Sequence, residues 1–122
     1  MELARSHVGF DLDSLEALRF SRPRDMISLH RFVHRLGYSV GRLEEICRLP
    51  AGSARANPFN RRMQAFMRAT LDVVALQMLR VADLDAAITW FKSQAQPEHA
   101  GLTPEELVAG GREKALLDSL RH

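Results

Sequence analysis

With 122 residues, 46% apolar and 26% charged, the chain has the composition of one globular domain with a core of its own, which excludes a disordered or fibrous segment. No apolar run approaches the roughly 18 residues of a membrane span, and the opening MELARSHVGFDLDS has neither a basic start nor an apolar signal segment, so a cytoplasmic protein without a membrane partner is expected. The net charge of +2 hides an uneven distribution: −3 over residues 1–18, +8 over 19–68 and −3 over 69–122.

Every periodic stretch repeats at helical spacing and none alternates with period two long enough for a strand, so an all-α fold is expected. A first short helix is predicted over about Leu12 to Phe20, with Leu12, Leu15 and Leu18 inward. SRPR gives a start signal for a second, Arg24 to Leu36, which places Met26, Leu29, Val33 and Leu36 on one face and ends at Gly37. Ser39 suits the N-cap of a third, Val40 to Leu49, burying Leu43, Ile46 and Cys47 and stopped by Pro50. PAGSARANP holds at most one helical turn between its two prolines.

The longest element is predicted from Phe59 to Ala82, with Phe59, Met63, Phe66, Met67, Leu71, Val74, Met78 and Val81 on one side. Its second half, LDVVALQMLRVA, is apolar nearly all round, which predicts burial between layers and a homodimer. Asp83 caps a further helix carrying Leu84, Ala87, Ile88, Trp90 and Phe91, with Trp90 expected in the core. After the polar loop QAQPEHAG, Thr103, Pro104 and Glu106 form a capping box with proline at the first helical position. Gly110 or Gly111 ends that helix, and Arg112 to Arg121 offers a last one with Ala115, Leu116, Leu117 and Leu120 apolar. Neither helix reaches the roughly 12 to 15 residues of marginal stability in water, so both must pack on something else. The organisation expected is a helix-turn-helix-like arginine-rich region (1–58), a long central helix (59–82) and a small C-terminal helical domain (83–122).

Few residues carry chemistry. A lone Cys47 forms no disulfide within the chain and reads as a buried hydrophobe. His30 and His34 stand four apart, the spacing of a helical metal pair, but no further ligand completes it. With no phosphate loop, nucleophile elbow or paired carboxylates, neither an enzyme nor a metal or cofactor is expected. Fifteen of the seventeen basic residues are arginine, whose planar fork fits phosphate and carboxylate. The segment LGYSVGRLEEICRLPAGSARAN, Leu36 to Asn57, has the layout of a helix-turn-helix, in which Ser53, Arg55 and Asn57 face the major groove and Arg42, Arg48, Arg61 and Arg62 reach phosphates. Glu44 departs from it, standing where such units carry a small residue, and Gly52 and Pro58 crowd the recognition piece.

The stretch AITWFKSQAQPEHAGLTPEELVAGGREKALLDSL, ending at Leu120, resembles the C-terminal toxin-binding domain of the Xre/MbcA/ParS antitoxins. That domain has a helix ending in tryptophan, a loop, a Gly/Leu-x-Pro helix start, a glycine-marked turn and a last leucine-containing helix. Here these are Trp90, Gly101, Leu102, Pro104, Leu107, Gly110 or Gly111, and Leu116 with Leu120. The resemblance implies an antitoxin that covers the active site of an NAD-consuming RES-domain toxin, with Arg112, Lys114, Leu117, Arg121 and His122 nearest the toxin. It also implies a dimer that binds its own promoter. Relatives run on a few residues where this sequence gives His122, so any plug would be short or formed by the last helix. The alternative is a stand-alone DNA-binding regulator of helix-turn-helix type, which the +8 block motivates.

Overall fold

The structure is a computed structural model that describes residues 26–121; the helix expected over Leu12 to Phe20, and His122, lie outside the described residues. The fold is all-α: the described residues form seven α-helices and one 3-10 turn and contain no strand. The chain divides into two compact units, here residues 26–68 and 69–121.

In the first unit, α1 spans Leu29–Leu36 and is capped by the Ser28 hydroxyl, which accepts the Arg31 amide at 3.2 Å. Met26 and Ile27 therefore precede the helix, which starts later than the SRPR signal suggests. Ile27 is instead tied down by the buried Gln64 side chain, which accepts from its N–H (2.9 Å) and donates to its carbonyl and that of Pro58 (both 3.0 Å). One amide thus substitutes for the helical bonds this segment lacks. Gly37 takes the left-handed conformation (φ 76°), the Tyr38 amide closes on Val33, and the Tyr38 ring stacks on Phe32 at 6.0 Å. This is the hydrogen bond and apolar contact with which helices commonly stop.

Helix α2, Val40–Ile46, is capped by Ser39 as expected, but ends before Leu49. Its end closes in the same way, with Arg48 at φ 58° where glycine is usual: Arg48 bonds back to Glu45 and Leu49 to Glu44. A single turn, α3, Ser53–Ala56, follows Gly52 (φ 88°). The long helix α4, Arg61–Val81, begins after Asn60, whose side chain accepts the Met63 amide at 3.1 Å. Phe59 therefore lies outside the helix and is exposed. The core of this unit holds Phe32, Leu36, Leu43, Met63 and Met67.

In the second unit, the rest of α4 buries Leu71, Val73, Val74 and Met78. Helix α5, Leu84–Ser93, is capped by Asp83 and buries Leu84, Ala87, Ile88 and Phe91. Trp90 is only half-buried, so the expectation that it fills the core is corrected: the fully buried ring is Phe91, one residue on, on the inner face. QAQPEHAG is more ordered than a plain polar loop. It holds a 3-10 turn (Pro97–His99), and the buried Gln96 pairs with Leu102 across a bridge in which its N–H donates to the Leu102 carbonyl at 2.9 Å. Helix α6, Pro104–Ala109, carries the complete capping box. Of the two glycines, Gly111 (φ 76°) is the left-handed one; its amide bonds to Val108 and that of Arg112 to Leu107. Helix α7, Glu113–Leu120, buries Leu116 and Leu120, while Ala115 is exposed and Leu117 half-buried.

Candidate functional site

Two surfaces carry the residues singled out by the sequence, one on each unit. On the second, α7 is held inward by Leu116 and Leu120 and sideways by His99, whose Nε2 lies 3.3 Å from the Ser119 hydroxyl. Because that hydroxyl donates to the Leu116 carbonyl (2.8 Å), the ring nitrogen facing it must be the donor. Helical geometry then puts Lys114, Leu117 and Arg121 along one stripe, three and four residues apart. Leu117 and Arg121 line, with Asp72, Ala75, Leu76 and Leu79 of α4, an open groove of about 460 Å³. Leu79, one of its lining residues, stands 64% exposed. Arg121 also pairs with Asp118 at 3.7 Å on the open surface, a contact worth little in water. Arg112 and Lys114 are exposed.

The remaining residues of the C-terminal pattern build the unit: Pro104 and Leu107 are buried, Leu102 is half-buried, and Gly110 and Gly111 form the turn. An alanine at Gly110 would press on the Glu106 carbonyl, 3.3 Å from the added carbon. The sequence pattern did not mark Asp72, Ala75, Leu76 and Leu79 as a surface. Its only signal was that LDVVALQMLRVA is apolar beyond one stripe, and the structure leaves Leu76 half-buried and Leu79 and Val81 exposed, Val81 contrary to its predicted inward position.

On the first unit, the Glu44 side chain is buried and its Oε2 accepts the Ala54 amide at 2.9 Å. The residue that departs from the helix-turn-helix pattern is therefore what fastens α3 to α2, through its carboxylate. Two of the three groove-facing candidates are engaged within the chain: the Ser53 hydroxyl donates to the Pro50 carbonyl at 2.5 Å, and the Asn57 Oδ1 accepts the Phe59 amide at 3.1 Å. Arg55 is exposed beside Glu44 and Gly52. Among the phosphate candidates, Arg42 pairs with Glu45 at 3.6 Å. Arg48, Arg61 and Arg62 converge on an open hollow of about 600 Å³ completed by Leu49, Pro50, Asn60 and Ala65, and the Arg62 guanidinium donates to the Arg48 carbonyl at 3.4 Å. No described residue forms an ion pair with any of these three.

Burial pushes the Cys47 thiol up to about 11, the nearby Arg62 charge opposing only in part, so the group stays a protonated thiol near neutral pH and is a poor nucleophile. His30 and His34 are exposed on α1, and among the described residues no three metal-ligating side chains come together. In comparisons with family models, curated proteins and solved structures, the chain matches none.

Proposed function

We propose that the protein is a non-enzymatic antitoxin of a type II toxin-antitoxin system, which neutralises an NAD-consuming RES-domain toxin by docking its C-terminal unit over the toxin's active site. The resemblance over Trp90 to Leu120 names the toxin class. The observation that carries the docking surface is the groove between α4 and α7: Leu117 and Arg121, two residues the resemblance puts nearest the toxin, face the exposed Leu79 across it. An apolar floor with a polar rim, here Asp72 and Arg121, is the usual anatomy of a protein-binding site. The test is co-expression with the adjacent toxin gene. Growth should be restored by the wild-type chain and lost with Leu117→Glu or Leu79→Glu, and a toxin equally tolerated with and without the protein would end this reading.

A homodimer belongs to the same proposal, restricted in its surface. Leu71, Val73, Val74 and Met78 are buried within the chain, so self-association through α4 would have to use Leu76, Leu79 and Val81. The alternative, a DNA-binding regulator, is favoured by one observation, the three arginines converging on one hollow. Promoter binding in a gel-shift measurement at low salt would support it, and no retardation would remove it.

A further inference from the structure

We propose that Arg48, Arg61 and Arg62 form a phosphate cradle that holds the backbone of duplex DNA without reading its sequence. The inference rests on the nucleic-acid alternative above for its partner class and is independent of what the C-terminal groove binds.

The charges come first. Three arginines line one open hollow, and the two carboxylates of α2 are occupied: Glu44 accepts the Ala54 amide, and Glu45 pairs with Arg42. The first turn of α4 contains no acidic residue to offset Arg61 and Arg62. A site of this kind attracts phosphate by charge and by the planar fork of arginine.

The backbone at Arg48 is a second, independent observation. It ends α2 in the left-handed conformation, φ 58°, where a residue with a Cβ is strained and glycine would be relaxed. Nothing in the helix end requires a side chain there, since the closing bonds are made by the main chain alone. What the side chain adds is a third positive charge on a residue that lines the hollow, while the Arg48 carbonyl anchors the guanidinium of Arg62.

The lining and the neighbouring turn define the ligand. Leu49, Pro50, Asn60 and Ala65 supply no aromatic ring, so the hollow lacks the stacking platform on which single-stranded bases are held. Helix α3 is one turn of four residues, and Ser53 and Asn57 use their side chains within the chain, so little remains to read base edges in a major groove. Phosphate contacts alone position a protein on duplex DNA and carry no sequence information.

Fluorescence anisotropy of the full chain with short labelled duplexes of unrelated sequence tests this. Three phosphate contacts predict a log–log salt slope of about −2.7, with affinities for unrelated duplexes equal within about threefold. Arg48→Gly, Arg61→Ala and Arg62→Ala should each reduce the slope by about one. Arg48→Gly should do so while unfolding at the same or a higher urea concentration than wild type, which separates lost binding from lost folding. A preference beyond about tenfold for one sequence, tighter binding of a single strand, or slopes unchanged in the three variants would each overturn the proposal. So would inorganic phosphate displacing the duplex more strongly than chloride at equal ionic strength, since the site would then belong to the free anion.

Discussion

At Gly111 the backbone alone dictates the residue. Its φ of 76° lets the amides of Gly111 and Arg112 reach the carbonyls of Val108 and Leu107, and with nothing within 4 Å of an added Cβ, any penalty for a side chain is conformational. Gly111→Ala should therefore destabilise the protein by about 1–2 kcal/mol, read from urea unfolding. Cys47 gives a pH prediction at the same scale. Its thiol rises from an ordinary 9.0 to about 11 because burial disfavours the thiolate. A group with a raised native pKa contributes its full stabilisation below the unfolded value and loses it as pH climbs to the native one. Wild type should lose stability between about pH 9 and 11 more steeply than Cys47→Ala, in paired urea titrations at each pH.

Among the elements, what was legible in the sequence and what was not follows the reach of the interactions. Ser39, Asp83 and Thr103 cap helices through bonds three residues long, so the starts of α2, α5 and α6 could be read directly. The α1 start depends on a partner 37 residues away, the Gln64 amide that holds Ile27 out of the helix, and no local pattern announces it. Glu44 is similar: as sequence it looks like a flaw in a helix-turn-helix, whereas its carboxylate reaches Ala54 to seat α3. Lys114, Leu117 and Arg121 were marked in the sequence only through the resemblance, and the wall opposite Leu117 and Arg121, Leu76 and Leu79, depends on how α4 and α7 pack. Trp90 was misplaced because tryptophan and phenylalanine stand side by side and only packing decides which ring turns inward. Removing the long-range tie has a clear expected outcome. Gln64→Ala leaves the buried Ile27 amide without its acceptor and frees two carbonyls, so it should destabilise by about 1–3 kcal/mol in urea unfolding and increase protease cleavage near Ile27.

For the molecule as a whole, the two units carry opposite chemistry. Residues 19–68 hold the +8 block and the arginine hollow; residues 69–122 carry −3 and an apolar groove rimmed by Asp72 and Arg121. Under the two proposals a polyanion and a protein would meet different units, so variants in one surface should leave the other's partner bound. Leu79 and Leu107 make the distinction between binding and folding measurable. Leu107 is fully buried, and Leu107→Ala should destabilise by about 2–5 kcal/mol through lost burial and the cavity left behind. Leu79 is 64% exposed, so Leu79→Glu should change stability by no more than about 0.5 kcal/mol while placing a charge on the groove's apolar edge. Under the antitoxin reading, Leu79→Glu folds normally, keeps its salt-dependent duplex binding, and fails to protect cells from the toxin. Protection equal to wild type by a folded Leu79→Glu chain would show that the groove does not meet the toxin and would move the docking surface to the exposed side of α7 around Arg112.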